Sequence, residues 1–197
     1  MSSTTRWAGV PLTDRRAERR GLLVDAAFAV FGETGAAGVS VRSVCRECGL
    51  NSRYFYESFT DTDALLGALY DMVAEELATA VEAAMTAQSG SIRARTAAGI
   101  RAVLGFCSDD PRRGRILFTE GRSHPVLTAR RAATQDLLME LVLTEITTEQ
   151  NADPLTGRVV ATLYTGAMAE LAQQWLAGHL GDDLDAVVDR AVSLVLR

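Results

Sequence analysis

The chain has 197 residues, 48% of them apolar, and a net charge of −5, which is enough for one folded domain or two small ones and too apolar for a disordered chain. No apolar run approaches the roughly 20 residues of a membrane-spanning helix, and the N-terminal MSSTTRWAGVPLTDRR lacks the apolar centre of a signal peptide, so the cytoplasm is expected, with no membrane partner and with the three Cys as free thiols. All twenty basic residues are Arg, which removes Schiff-base lysine and Walker-lysine chemistry.

Strand-like alternation is nearly absent. Leu22, Leu23, Ala26, Ala27, Val30 and Phe31 recur at helical spacing and predict an amphipathic first helix over 14–33, closed by Thr34-Gly35. Arg15, Arg16, Arg19 and Arg20 crowd its first turns. Residues 1–60 hold eight Arg against six acids, while the remaining 137 hold twelve against nineteen. A basic end on an acidic body suits a protein that presents one face to phosphate, although short basic clusters are also ordinary solvated helix faces.

Ser40 is a good N-cap for a second helix over 41–48, which Gly49 closes. Asn51 caps a third helix ending near Phe59. Asp61 or Thr62 caps a fourth, with the apolar stripe Leu65, Leu66, Leu69, Val73, Leu77 and Val81. TAQSGS, residues 86–91, breaks the chain, and further helices are expected near 92–107, 111–120, 124–149, 155–178 and 182–197. Pro111, Pro125 and Pro154 stand near helix starts, where a missing N–H costs little. Asp182 and Asp183 suit the cap of the last. The whole reads as an all-α protein of about nine helices, a small N-terminal unit of three followed by a larger bundle.

The stretch GLNSRYFYESF, residues 49–59, holds four of the chain's twelve aromatic residues. On a helix, Phe55 and Phe59 share one face, Arg53 and Glu57 the opposite one, and Tyr54 and Tyr56 lie on the flanks. Together with the second helix and the turn Cys48-Gly49-Leu50 this is a helix–turn–helix candidate. The two Phe anchor a helix too short to persist alone in water. Arg53 can donate two hydrogen bonds to guanine and Glu57 can accept from cytosine. Tyr hydroxyls, and backbone N–H groups near Ser40 and Asn51, can reach phosphates. The plainer alternative is a pair of packing tyrosines and a surface Arg–Glu ion pair four residues apart.

Residues 14–70 resemble the N-terminal DNA-binding domain of TetR-type (TetR/AcrR) bacterial transcriptional regulators. The matching pieces are a first helix ending in F-x-x-x-G, the G-x-x-x-V-x-V entry, the C-G-L turn, the Y-F-Y centre of the third helix and F-x-x-x-x-A-L-L opening the fourth. The remainder resembles that family only in being helical, with a closing GAMAELAQQWLAG. The resemblance implies a repressor-like homodimer on a palindromic operator, released when a small molecule enters the C-terminal domain. It implies a helix–turn–helix domain over 1–60, with a flexible arm at 1–13, and a ligand-binding and dimerisation domain over 61–197. On this resemblance Arg42 reaches a base or phosphate, Ser52, Arg53, Tyr54 and Glu57 face bases, Tyr56 contacts phosphate, and Ser40 caps the second helix beside the DNA backbone; Asn51, from its capping position, is the further candidate there. Many members carry a Lys at the start of the fourth helix. Here that position is Thr62 within Asp61-Thr62-Asp63, so one phosphate contact is lost or replaced, with the N-terminal Arg cluster or Arg6 as substitutes.

Cys45 and Cys48 form a C-x-x-C on one helix face, readable as a metal or redox site, but small core residues belong at both positions and no second ligand pair exists. Gly32, Gly35 and Gly38 follow a helix and not a strand, so they are turn glycines and not a dinucleotide loop. In the bundle, Phe106, Phe118, His124, Gln135, Met139, Tyr164, Met168 and Trp175 are core residues or the lining of a ligand cavity. Ala161, Gly166, Ala167, Ala169, Ala172 and Ala177 leave a flat apolar surface, suited to a symmetric dimer whose recognition helices stand about 34–36 Å apart. The expected protein is a ligand-responsive DNA-binding regulator without cofactor or metal and not an enzyme, since no nucleophile–base–acid set is present. Its rivals are a regulator switched by oxidation of Cys45 and Cys48, and an all-α enzyme.

Overall fold

The computed structural model describes residues 12–120, 124–149 and 153–196, and the regular elements among them are all helical. In chain order they are α1 (Leu12–Thr34), a 3-10 turn (Ala36–Gly38), α2 (Val41–Cys48), α3 (Ser52–Ser58), α4 (Thr62–Thr86), α5 (Ile92–Asp109), α6 (Pro111–Gly114), α7 (Pro125–Glu149), α8 (Pro154–Leu176) and α9 (Leu184–Val195). The chain divides into two compact units between Asp71 and Met72, within α4.

The first unit is built by caps at close intervals. Gly35 takes a positive φ of 70° after its N–H bonds the Phe31 carbonyl at 2.8 Å, and so stops α1. Ser40 Oγ accepts from Ser43 N–H at 3.1 Å and Ser43 Oγ accepts from Ser40 N–H at 2.9 Å, a reciprocal capping box that starts α2. Gly49 ends α2 in the left-handed region, φ 68°. Asn51 Oδ1 then accepts from Arg53 N–H at 2.9 Å to start α3, and Asp61 Oδ1 accepts from Ala64 N–H at 2.7 Å at the head of α4. The core these helices enclose is Leu23, Val24, Ala27, Phe31, Val44, Phe55, Leu65, Leu66 and Leu69, each at most 5% exposed. The expected α1 stripe is right but for its first member: Leu22 is 44% exposed and Val24 lies inside instead.

In the second unit Ile100 and Leu104 of α5 are buried with Ala172 of α8 and Val188 and Val192 of α9. α6 is a single turn whose Gly114 lets Leu176 approach, since a Cβ there would stand 2.6 Å from Leu176 Cδ1. The single helix expected over 111–120 is instead this turn continued by a π-helical segment, Arg115–Thr119, with Ile116 and Leu117 buried. α7 and α8 pack against each other. The small residues expected on a flat surface are divided: Ala161 and Ala172 are buried, Gly166 and Ala169 half-buried, and Ala167 and Ala177 exposed, while bulky Leu155, Val159 and Leu163 are exposed as well. No helix among the described residues is long and apolar enough to cross a membrane.

Candidate nucleic-acid interface

α3 is seven residues long, below the length at which a helix persists alone. Its hold on the unit begins with Phe55, fully buried, and Phe59 at its C-cap, 5% exposed. The opposite side faces out: the Arg53 side chain is 82% exposed and Tyr56 is 62% exposed. Ser40, Asn51 and Ser52 are exposed beside it, and so are Arg42 and Arg46 on α2. Arg46 follows Arg42 by four residues and therefore shares its face, a spacing that would have identified it in the sequence. The first N–H groups of α2, at Val41 and Arg42, have no intrahelical acceptor and open on the same end.

Three of the expected base-facing residues, Arg53, Glu57 and Tyr54, are engaged within the unit. Arg53 Nε donates to Glu57 Oε1 at 3.0 Å, and Glu57 Oε2 also pairs with Arg19 Nη2 at 3.8 Å. Tyr54 is half-buried, with the Arg19 guanidinium 4.5 Å above its ring centroid. Three members of the Arg cluster expected at phosphate make contacts with α3 and its C-cap. Arg20 lies 4.5 Å over the Phe59 ring, and Arg16 donates to the Glu57 carbonyl oxygen. These contacts link positions more than thirty residues apart, so helical periodicity gives no signal for them. Residues 1–11, including Arg6 and most of the expected arm, lie outside the described residues.

Cys45 is buried and Cys48 half-buried, its thiol donating to the Val44 carbonyl at 3.2 Å. Burial pushes the Cys45 thiol above its ordinary value, with Cys48 adding to the effect, so Cys45 is a poor thiolate. Among the described residues no group of three or more His, Cys, Asp or Glu is placed to hold a metal.

The second unit carries an open groove of about 600 Å³ lined by Met72, Glu75, Glu76, Thr79, Ala80, Ala83, Phe106 and Arg113. Arg113 stands 4.5 Å over the Phe106 ring, with its Nε 3.7 Å from Glu76 Oε2. Of the eight expected cavity residues only Phe106 lines it. Phe118, Met168 and Trp175 pack against the core of α5, α8 and α9, and Trp175 Nε1 donates to Ser108 Oγ at 2.7 Å. Met139 Sδ accepts from Thr162 Oγ1 at 3.7 Å. His124 and Tyr164 are half-buried, and Gln135 is exposed. The groove is a tertiary feature: its α4 side is made of Met, Ala, Thr and Glu side chains that a solvated helix face would also carry.

Residues 23–69 match the family described as bacterial regulatory proteins, tetR family. Over 178 residues, 90% of this chain and 81% of the relative, the sequence is 22% identical to the HTH-type transcriptional activator FasR of Mycolicibacterium smegmatis. The fold is shared with the fatty acid degradation regulator FadR of Bacillus halodurans, at TM-score 0.71 and 17% identity, covering 90% of this chain and 94% of that one. It is shared equally with FadR of Bacillus subtilis, solved in complex with stearoyl-CoA, at TM-score 0.69 and 18% identity over 89% and 97% of the two chains. The helix–turn–helix geometry and the family match coincide over residues 23–69, so this first unit is similar to the DNA-binding part of the bacterial regulatory proteins of the tetR family.

Proposed function

We propose that the chain is a ligand-responsive, DNA-binding transcriptional regulator: a homodimer that represses from a palindromic operator and leaves it when a small molecule binds. The observation that carries this is the division of α3, with Phe55 and Phe59 buried and Arg53 and Tyr56 exposed on the other side. Arg53 reads guanine through its guanidinium edge, and Ser52 lies beside it at the base edges. Arg42, Tyr56, Ser40, Asn51 and the N–H groups that open α2 set the register on phosphates. Tyr54 and Glu57 act from behind Arg53, shaping the face it presents.

Dimerisation is supported by the stripe Leu155, Val159 and Leu163 at successive fours on α8, exposed by 72%, 49% and 67%, with Leu137 and Leu138 exposed on α7. Apolar stripes of this size are characteristic of protein interfaces. The groove over Phe106 and Arg113 is the proposed effector site: Met72, Ala80, Ala83 and Phe106 offer apolar lining, and the Arg113 guanidinium, shared with Glu76, is the group an anionic ligand would compete for. The stearoyl-CoA held by the Bacillus subtilis relative makes an acyl thioester the first ligand to try.

The test is selection of duplexes from a randomised DNA pool by the full chain. Enrichment of an inverted repeat, and its release by stearoyl-CoA, supports both halves of the proposal. No enriched sequence overturns DNA reading; enrichment without release by any of a set of acyl thioesters overturns the effector class. A reporter driven from the selected site separates repression from activation, the activity named for the FasR relative.

A further inference from the structure

A seven-residue helix with one fully buried side chain is held at a point but not about its own axis. Phe55 fixes where α3 sits, and something else must fix which residues it turns outward. Three arginines of α1 meet that requirement. Tyr54 and Glu57, three apart, share one flank of α3, and the single guanidinium of Arg19 engages both: it lies 4.5 Å above the Tyr54 ring and 3.8 Å from Glu57 Oε2. Arg16 donates to the Glu57 carbonyl, one of the last-turn carbonyls that no intrahelical N–H reaches, and adds a cation at the negative end of the helix. Arg20 covers the ring of Phe59, the C-cap.

We propose that Arg19 is a positioning residue for DNA reading: with Arg16 and Arg20 it clamps the recognition helix in rotation and holds Glu57 where it orients Arg53. This rests on the reading of α3 as the DNA-facing helix. Glu57 is shared between Arg53 at 3.0 Å and Arg19 at 3.8 Å. Because Arg19 offsets the Glu57 charge, Arg53 can exchange that partner for a base without leaving a bare carboxylate behind. The Arg19 guanidinium is thus assigned to the protein's own helix, not to a phosphate.

The test compares wild type, Arg19→Met, Glu57→Gln and the double variant on a duplex selected by the wild-type chain and on a scrambled duplex, at several salt concentrations, with melting curves alongside. Arg19→Met keeps an apolar stem against Tyr54 and removes the charge. The expected result is about a tenfold loss on the selected duplex, the scale of a lost cation–π contact with an ion pair, and a clearly smaller loss on the scrambled one. The salt slope should stay within about half a unit of wild type, where loss of a phosphate contact changes it by about one. The double variant should lose less than the two single losses combined, because both act on one contact. Equal losses on both duplexes with a slope lower by about one unit overturn the proposal in favour of a phosphate contact. Equal losses with a lowered melting temperature overturn it in favour of a purely structural residue, and no loss overturns it outright. If the wild-type chain selects no duplex at all, the DNA reading of α3 fails first and this proposal falls with it.

Discussion

The ring of Phe55 lies 5.9 Å from that of Phe59, tilted by 45°, and both belong to the core while Tyr56 between them stands in solvent. Phe55 also meets the Tyr56 ring edge-on at 5.4 Å, so the same aromatic run anchors α3 and shapes its outer flank. Truncating Phe55 to Ala is expected to cost about 3–5 kcal/mol, the usual range for a buried Phe. In a unit of this size that removes most of the stability. Hydrogen exchange should show protection lost across residues 15–71, and DNA binding lost with it, whereas Phe55→Leu should keep both in weakened form.

Two glycines of the first unit separate strain from crowding. Gly49 has open space where a Cβ would stand but sits at φ +68°, so Gly49→Ala should cost about 1–2 kcal/mol from left-handed strain alone. At Gly38 a Cβ would meet Thr34 Oγ1 at 1.8 Å and Thr34 Cβ at 2.3 Å, and Thr34 Oγ1 is already bonded to the Val30 carbonyl at 2.8 Å. Gly38→Ala should therefore be the more damaging, by about 1–3 kcal/mol beyond the Gly49 variant as the turn is forced open. Chemical denaturation of both variants tests the order.

Asp110 caps α6 and ion-pairs with Arg112 at 2.7 Å, and the hydrogen bond from Arg112 holds its carboxyl below the ordinary value near 3.8. A carboxyl depressed in the folded state adds stability above its unfolded value and loses it as pH falls through the folded one. The stability gap between wild type and Asp110→Ala should be about 1 kcal/mol near neutrality, as for loss of an N-cap. It should hold down to about pH 5 and shrink below about pH 4. Urea midpoints from pH 3 to 7 measure it; a gap that widens in acid contradicts the assignment.

Thiol accessibility tests the oxidative rival. Cys107 is fully buried and its thiol is pushed up to about 12 by burial, and the Cys45 thiol is raised as well. An aromatic disulfide reagent at pH 8 should reach half-buried Cys48 first and Cys107 only on unfolding. Mild peroxide should leave DNA binding unchanged. Rapid oxidation of the Cys45–Cys48 pair with release of DNA would place the switch there instead.

The elements most legible in the sequence are those set by local chemistry. Val41–Cys48 appears with its expected bounds because Ser40 and Gly49 act on their own neighbours, and Asn51, Asp61 and Asp183 cap as their side chains dictate. The inward Phe pair is legible for the same reason, as a spacing of four. What is not legible depends on partners distant in the chain. Arg16, Arg19 and Arg20 read as a solvated basic face until α3 is packed against them, and the residue types of Arg115–Thr119 give no signal for its π-helical turns. The groove beside Arg113 shares only Phe106 with the residues expected to line a cavity.

The claim on which the account turns is that the exposed side of α3 reads bases through Arg53. It is measured most directly by comparing wild type and Arg53→Ala for binding to every single-base variant of a selected duplex. Arg53 is 82% exposed, so its removal should leave the melting temperature within about a degree while erasing about 1–3 kcal/mol of preference at one base pair in each half-site. An Arg53→Ala chain that binds the whole set with undiminished preference would contradict it.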